Sequence, residues 1–167
     1  MTRIGLLSDT HGYIHPNTTR IFEHCDEIWH AGDFGTPEVA EQLALLKPLR
    51  GVYGNIDGQP LRQLFPETLR FSCEGVDVLM THIGGYPGRY APRVKEIMRM
   101  KPPDLFICGH SHILKVIHDP IHQLLHINPG AAGHSGFHQL ITMVRFTIQG
   151  KTIKNLEVVE YARNKKA

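Results

Sequence analysis

The sequence predicts a layered α/β fold in which two β-sheets pack face to face with helices outside. Two observations lead there. The first two-thirds of the chain alternate short apolar runs with helix-like stretches, which implies a mainly parallel or mixed sheet flanked by helices. The last third switches to strand-like runs at hairpin spacing, which suggests a second, largely antiparallel sheet. No internal repeat, low-complexity run or linker interrupts the pattern, so residues 1–167 read as one continuous domain. A domain of this length buries roughly 70% of the surface its unfolded chain exposes, and it needs neither disulfide nor structural metal merely to fold.

The elements follow in order. Arg3 to Ser8 is an apolar run that ends in a turn, and Asn17 to His24 has the pattern of a short helix. Glu27 to His30 is the next strand. Thr36 and Pro37 supply an N-cap and a first helical residue for a helix from Thr36 to Lys47, in which Val39, Leu43 and Leu46 recur at helical spacing. Leu49 to Tyr53, Val76 to Thr81 and Leu105 to Cys108 are further strands, each closed by a glycine or a polar residue. Ala91 to Met100 is a helix stopped by Pro102-Pro103. Leu114 to Ile117, His122 to Ile127, Leu140 to Phe146 and Thr152 to Val159 are strands, joined by turn signals at Asp119-Pro120, Asn128-Pro129-Gly130 and Gln149-Gly150.

Composition narrows the function. A net charge of +2 is too weak to indicate nucleic acid as a partner, and the basic Arg163-Asn164-Lys165-Lys166 segment reads as a frayed soluble end. Cys25, Cys73 and Cys108 lie far apart with no C-x-x-C pair, which points to a reducing, cytoplasmic setting. The first apolar run meets Asp9 too soon for a signal peptide. Pro120 to Val144 has no acidic or basic residue, but its four histidines and Pro-Gly turn exclude a membrane span. Twelve histidines are the unusual feature, and their positions carry the argument.

Apolar runs repeatedly end at a side chain able to bind metal. Asp9, Asp33, Asn55, His82 and His110 each close such a run, and His11 and His112 lie two residues beyond a member of the set. Parallel strands present their carboxyl ends at one edge, and ligands bind in the crevice beyond it. Spacing of i, i+2 in Asp9/His11 and His110/His112 would place each pair on one side of an extended backbone, with Gly32, Gly54 and Gly109 allowing tight turns before the ligands. Singly, each residue has a plain alternative: Asp9 and Asp33 as helix caps, Asn55 as a turn residue, His82 as a hydrogen-bonded structural histidine. Jointly, seven nitrogen and oxygen donors exceed one tetrahedral site and suit two ions of Mn, Fe, Co, Ni or Zn better than Mg or Ca.

The motifs Asp9-Thr10-His11, Gly32-Asp33, Gly54-Asn55-Ile56-Asp57, Thr81-His82 and Gly109-His110-Ser111-His112 resemble those of the calcineurin-like metallophosphoesterases, and most closely the small YfcE-like phosphodiesterases. The resemblance implies a four-layer αββα sandwich holding two divalent metal ions, manganese foremost. It implies that Asp9, His11 and His112 hold the first ion, that Asn55, His82 and His110 hold the second, and that Asp33 bridges them. One departure stands out. Many members carry a histidine after the asparagine, where it contacts phosphate or protonates the leaving group, and here that position is Ile56. The general acid is therefore unassigned. Asp57 reads as a turn carboxylate, with support of the ligands as its alternative; Asn128-Pro129-Gly130 reads equally as a plain turn or as a loop near the site; and His30 reads as a buried histidine supporting the site rather than a ligand.

The expected activity is hydrolysis of a phosphate ester by in-line attack of a hydroxide shared by two ions. Two divalent ions less the charges of Asp9, Asp33 and hydroxide leave a centre with about one positive charge, suited to an anion. No large insertion caps the site, which favours diesters, including nucleotides; oligonucleotides stay open as substrates although nucleic acid is not indicated. A homodimer is common among similar proteins. Two other readings stand beside this one: a non-catalytic scaffold on the same fold, like the retromer subunit, and a hydrolase or structural protein with a single metal.

Overall fold

The computed structural model describes residues 1–163; Asn164, Lys165 and Lys166 of the basic segment lie outside the described residues. The strands are β1 (Thr2–Leu7), β2 (Glu27–His30), β3 (Leu49–Gly51), β4 (Thr68–Cys73), β5 (Val76–Thr81), β6 (Gly85–Tyr86), β7 (Arg89–Tyr90), β8 (Leu105–Ile107), β9 (Leu114–Asp119), β10 (Leu124–Pro129), β11 (Leu140–Gln149) and β12 (Thr152–Ala162). The helices are α1 (Thr18–Ile21), α2 (Pro37–Leu46), α3 (Gln59–Leu64) and α4 (Pro92–Met100). Two five-stranded mixed sheets, in the orders β12-β11-β1-β2-β3 and β4-β5-β8-β10-β9, form the inner layers, with helices outside them. This is the αββα sandwich that the sequence predicts.

The layers follow from period-2 patterning, since successive strand residues face opposite sides. Ile4 and Leu6 of β1, Trp29 of β2, and Val144, Phe146 and Ile148 of β11 meet Val76, Val78 and Met80 of β5, Leu105 and Ile107 of β8, and Ile127 of β10 between the sheets. The intervening residues face outward. Leu7, Ile28, Ile141 and Met143 pack with Ile21 of α1, Val39 and Leu43 of α2, and Leu61 of α3. Leu79 and Phe106 pack with Val94 and Met98 of α4. Both faces of each central strand are thus apolar, as strands covered on both sides require. Thr36 stands at the N-cap of α2 with Pro37 following, although its hydroxyl makes no capping bond.

Two expectations are corrected. The last third does not build a sheet of its own. β9 and β10 complete the second sheet, whereas β11 pairs antiparallel with β1 and β12 with β11 in the first. Hairpin spacing reveals a strand's local partner but not the sheet edge that the hairpin joins. In addition, α3, β4 and the small β6–β7 hairpin have no counterpart in the sequence reading. In β4, Arg70 and Ser72 interrupt the apolar run, and only Leu69, Phe71 and Cys73 turn to the core.

The topology positions the site. β1, β2 and β3 run parallel in one sheet, β5, β8 and β10 run parallel in the other, and the two sets deliver their carboxyl ends to a common rim. Among the described residues no helix is long and apolar enough to cross a membrane. Leu6 has no exposed surface, so Leu6→Ala should cost about 2–5 kcal/mol by urea denaturation. Leu45 is 87% exposed, and Leu45→Ala should change stability by no more than about 0.5 kcal/mol.

Candidate metal centre

All seven predicted residues stand on loops that leave strand ends at this rim. Asp9 and His11 follow β1, Asp33 follows β2, Asn55 follows β3, His82 follows β5, and His110 and His112 follow β8. Neighbouring loops are stitched together by backbone bonds: Asp9 N–H to Gly32 O at 3.0 Å, His11 N–H to Asp33 O at 3.1 Å, Gly109 N–H to His82 O at 3.0 Å, and Gly133 N–H to Asp9 O at 3.0 Å.

Two groups of donor atoms result, one from Asp9, His11 and His112 and the other from Asp33, His82 and His110, each with its atoms within 4.8 Å of one another. The groups adjoin. Asp33 Oδ2 lies 3.5 Å from His11 Nε2 and 3.1 Å from His82 Nε2, so one oxygen faces both. Asp9 Oδ1 lies 3.2 Å from His112 Nε2 and 3.7 Å from His11 Nε2. Asn55 Oδ1 lies 3.0 Å from His110 Nδ1 and so joins the second group.

Each carboxylate has one oxygen secured and one directed inward. Asp9 Oδ2 accepts from Ser8 Oγ at 2.6 Å and from His110 N–H at 3.1 Å. Asp33 Oδ1 accepts from Ile56 N–H at 3.1 Å. His82 is oriented in the same way: Nδ1–H donates to Ala31 O at 2.8 Å, which leaves Nε2 as a lone-pair donor. Asp9 Oδ1, His11 Nε2 and His82 Nε2 are buried without a hydrogen-bond partner. Orphaned donors of this kind are costly unless a cation satisfies them. Two donors each about 2.0–2.2 Å from one ion fall about 3–3.5 Å apart, close to the spacings found.

The electrostatics agree. Burial alone would raise the Asp9 carboxyl, but the imidazoles of His11, His112 and His82 and the Ser8 hydroxyl hold it far below the usual carboxylate range. Contact with Asp9 raises His11 above its ordinary value against the effect of burial. Burial works to lower His82, yet Asp33 and Asp9 raise it. Burial and the neighbouring His82 lower His110. Asp9 and Asp33 gather imidazoles from both sheets around them, and divalent cations held there would supply the positive charge that the buried carboxylates call for.

The backbone differs from expectation. Asp9, His11, Asp33, His110 and His112 have φ of 54°, 47°, 59°, 73° and 61°, so each pair converges through a left-handed loop rather than along an extended strand. Such conformations cost a non-glycine residue about 1–2 kcal/mol each, and they concentrate at functional sites. The glycines also matter for a reason other than turning. A Cβ at Gly54 would lie 1.9 Å from Asp33 Oδ1, and one at Gly109 would lie 2.1 Å from Ser8 Oγ, so both positions are kept bare to admit the carboxylates.

Two groups that the sequence left open between a plain turn and a supporting role support the site. Asp57 is a buried clamp between ligand loops: its carboxylate accepts from Gly54 N–H at 2.8 Å, Gly35 N–H at 2.9 Å and Phe34 N–H at 3.2 Å. Asn128, part of a Pro-Gly turn motif, reaches Gly109 O at 3.0 Å and Ser111 Oγ at 3.1 Å and steadies the His110 loop. His30 supports the site, as expected. It accepts from Gly32 N–H at 3.1 Å and shares a 3.0 Å bond with Thr10, whose hydroxyl donates to Phe34 O. Its complete burial lowers its pKa to about 3 and keeps it neutral. Ile56 carries no proton to transfer and is 47% exposed beside Asn55.

Comparison with known proteins places these features. A probable metallophosphoesterase of Methanothermobacter thermautotrophicus is 29% identical over 138 residues, covering 77% of this chain and 76% of its own. A novel archaeal phosphodiesterase shares the fold with a TM-score of 0.72 at 23% identity, over 94% of this chain and 99% of its own. Zinc-complexed wild-type Vps29 from Entamoeba histolytica shares it with a TM-score of 0.71 at 16% identity, over 97% and 99%. The structural likenesses speak to the fold and do not separate one subgroup from another. The model of the calcineurin-like phosphoesterase superfamily domain matches residues 2–151, and with its adjoining Asp/His metal groups on that scaffold, the chain belongs to this superfamily as a metal-dependent hydrolase.

Proposed function

We propose that the chain is a phosphodiesterase of the small YfcE-like kind, working in the cytoplasm with two manganese ions, and that all seven predicted residues are ligands. The observation that carries this is the pair of adjoining donor groups sharing the inward oxygen of Asp33. Asp9, His11 and His112 would hold one ion, and Asn55, His82 and His110 the other. The mixed nitrogen and oxygen donors suit manganese and equally admit iron, zinc, nickel or cobalt. Bound divalent ions supply Lewis acidity and lower the pKa of water from 15.7 toward about 7.

The chain's own residues do the remainder. Asp33 and Asp9 neutralise part of the metal charge and leave a net attraction for an anionic ester. Ser8, Ile56 N–H and Ala31 O fix the ligand orientations before substrate arrives. Two cavities open at the second group on either side of Ile83: one of about 480 Å³ lined by Asn55, His82, Arg62 and Arg93, the other of about 290 Å³ lined by His110 and Tyr86. Space on both sides of the reacting phosphate favours a diester over a monoester. The archaeal phosphodiesterase of the same fold supports this reading. A scaffold on the same fold is the second reading, but the two Asp/His groups joined by Asn55 argue for catalysis.

Three outcomes test the proposal. Asp33→Ala should lose both metals and nearly all hydrolysis of a chromogenic diester; full metal content and rate in elemental analysis and kinetics would exclude the bridging role. His112→Ala should lower metal content from two ions per chain toward one. Asp57→Asn leaves a single acceptor oxygen for three N–H groups, so metal affinity should fall about 10- to 100-fold in chelator competition, and unchanged affinity would remove Asp57 from the site's support.

A further inference from the structure

The loop that carries Asn55 is open to solvent. Asn55 is exposed, Ile56 is 47% exposed, and Asn55 is the one uncharged amide among the seven donors. From the inside the loop is held by its N–H groups: Gly54 N–H donates to Asp57 Oδ2 at 2.8 Å and Ile56 N–H to Asp33 Oδ1 at 3.1 Å. Its carbonyls are held from the outside by Arg62 of α3. Arg62 Nε–H donates to Asp57 O at 2.6 Å, and Nη2 reaches Asn55 O at 3.4 Å. Among the described residues no other group bonds either carbonyl. The guanidinium also lies 4.7 Å over the ring of Tyr53, just before the loop.

Charge alone gives no reason for an arginine here. A full positive charge beside a divalent ion opposes the binding of that ion. Arg93, which lines the same cavity, is offset by Glu67 at 2.8 Å, whereas no carboxylate among the described residues pairs with Arg62. Asp57 does not neutralise it, because that carboxylate is committed to three backbone N–H groups. Shape does give a reason. A guanidinium carries its donors in one fixed plane, so it can meet two carbonyls and an aromatic face at once. A neutral amide oxygen attracts a divalent ion less than a carboxylate does, so its contribution depends on being held in place beforehand.

We propose that Arg62 is a positioning residue of the second metal group: by tying down the Asn55 and Asp57 carbonyls it keeps Asn55 Oδ1 turned toward His110 and sets the affinity for the second ion. The Asn55 Oδ1 to His110 Nδ1 separation of 3.0 Å is the geometry it preserves. This inference rests on the two-metal reading and adds to it a residue outside the seven donors. The sign of the effect separates it from a simple charge. Removing a cation beside a metal site strengthens metal binding, whereas removing a brace on a ligand loop weakens it.

Stepwise manganese binding to the purified protein, followed by isothermal titration calorimetry, tests this. Arg62→Met keeps an aliphatic stem against Tyr53 and loses both bonds. The second ion should then bind at least about tenfold more weakly, within the about 10- to 100-fold usual for groups that hold metal ligands, while affinity for the first stays within about twofold of wild type. Arg62→Lys retains one donor and should recover part of the loss. Arg62 is exposed, so neither replacement opens the core. Second-ion affinity that is unchanged or raised in Arg62→Met overturns the proposal. Equal weakening of both ions with a lower melting temperature overturns it too, since that is the mark of a general structural role. A wild type that takes up fewer than two manganese ions overturns the two-metal reading itself, before any variant is compared.

Discussion

Two carboxylates facing each other across a rim, with too little positive charge between them, set the terms for the rest of the molecule. Asp9 and Asp33 are almost wholly buried at the ends of adjacent parallel strands, and each has one oxygen bound to its own surroundings and one turned inward. Bringing like charges together in a low-dielectric interior is unfavourable unless cations join them. The histidines around them, the bare glycines that let them approach, and the left-handed loops that aim them all serve that one requirement. The sandwich exists, in functional terms, to hold two sheet edges in register so that donors from both meet. Three parallel strands in each sheet point the same way, and the apolar layer between the sheets fixes their separation.

Much of this was legible in the primary structure, for a physical reason. Asp9, Asp33, Asn55, His82 and His110 each close an apolar run, and a strand's end is where backbone hydrogen bonding stops and a side chain can face a crevice. The parallel β1–β2 pair was legible because a helix-like stretch separates the two strands, whereas the composition of the second sheet was not, since β9–β12 divide between both sheets. Other features depended on contacts that no local pattern records. The carboxylate of Asp57 looks like a turn residue because its three partners, at Phe34, Gly35 and Gly54, come from two loops. Asn128 looked like part of a turn for the same reason. The assignment of β11 to the first sheet rests on pairing with a strand more than 130 residues earlier, as in Thr2 opposite Ile148.

The misjudged backbone of the ligand pairs is instructive. Spacing of two residues suggested an extended strand, yet Asp9, His11, His110 and His112 all occupy the left-handed region. Local propensity would place glycine or asparagine there. That aspartate and histidine occupy these positions means their side chains were retained against a conformational cost, which is the signature of chemistry overriding local preference.

The pairing of β11 with β1 has a bearing on how the protein comes to exist in the cell. β1 lies between β2 and β11, and the loop carrying Asp9 is tied by Ser8 and by its own carbonyl to Ala132 and Gly133. In a growing chain Asp9, Asp33, Asn55, His82, His110 and the other rim residues therefore all precede the segment that locks the first of them. Until the C-terminal hairpin slots in beside the opening strand, the growing chain has ligands but no rigid cage for them. Capture of the metal ions thus depends on docking of the β11–β12 hairpin, and a chain lacking that hairpin would be a poor chelator as well as a poor catalyst.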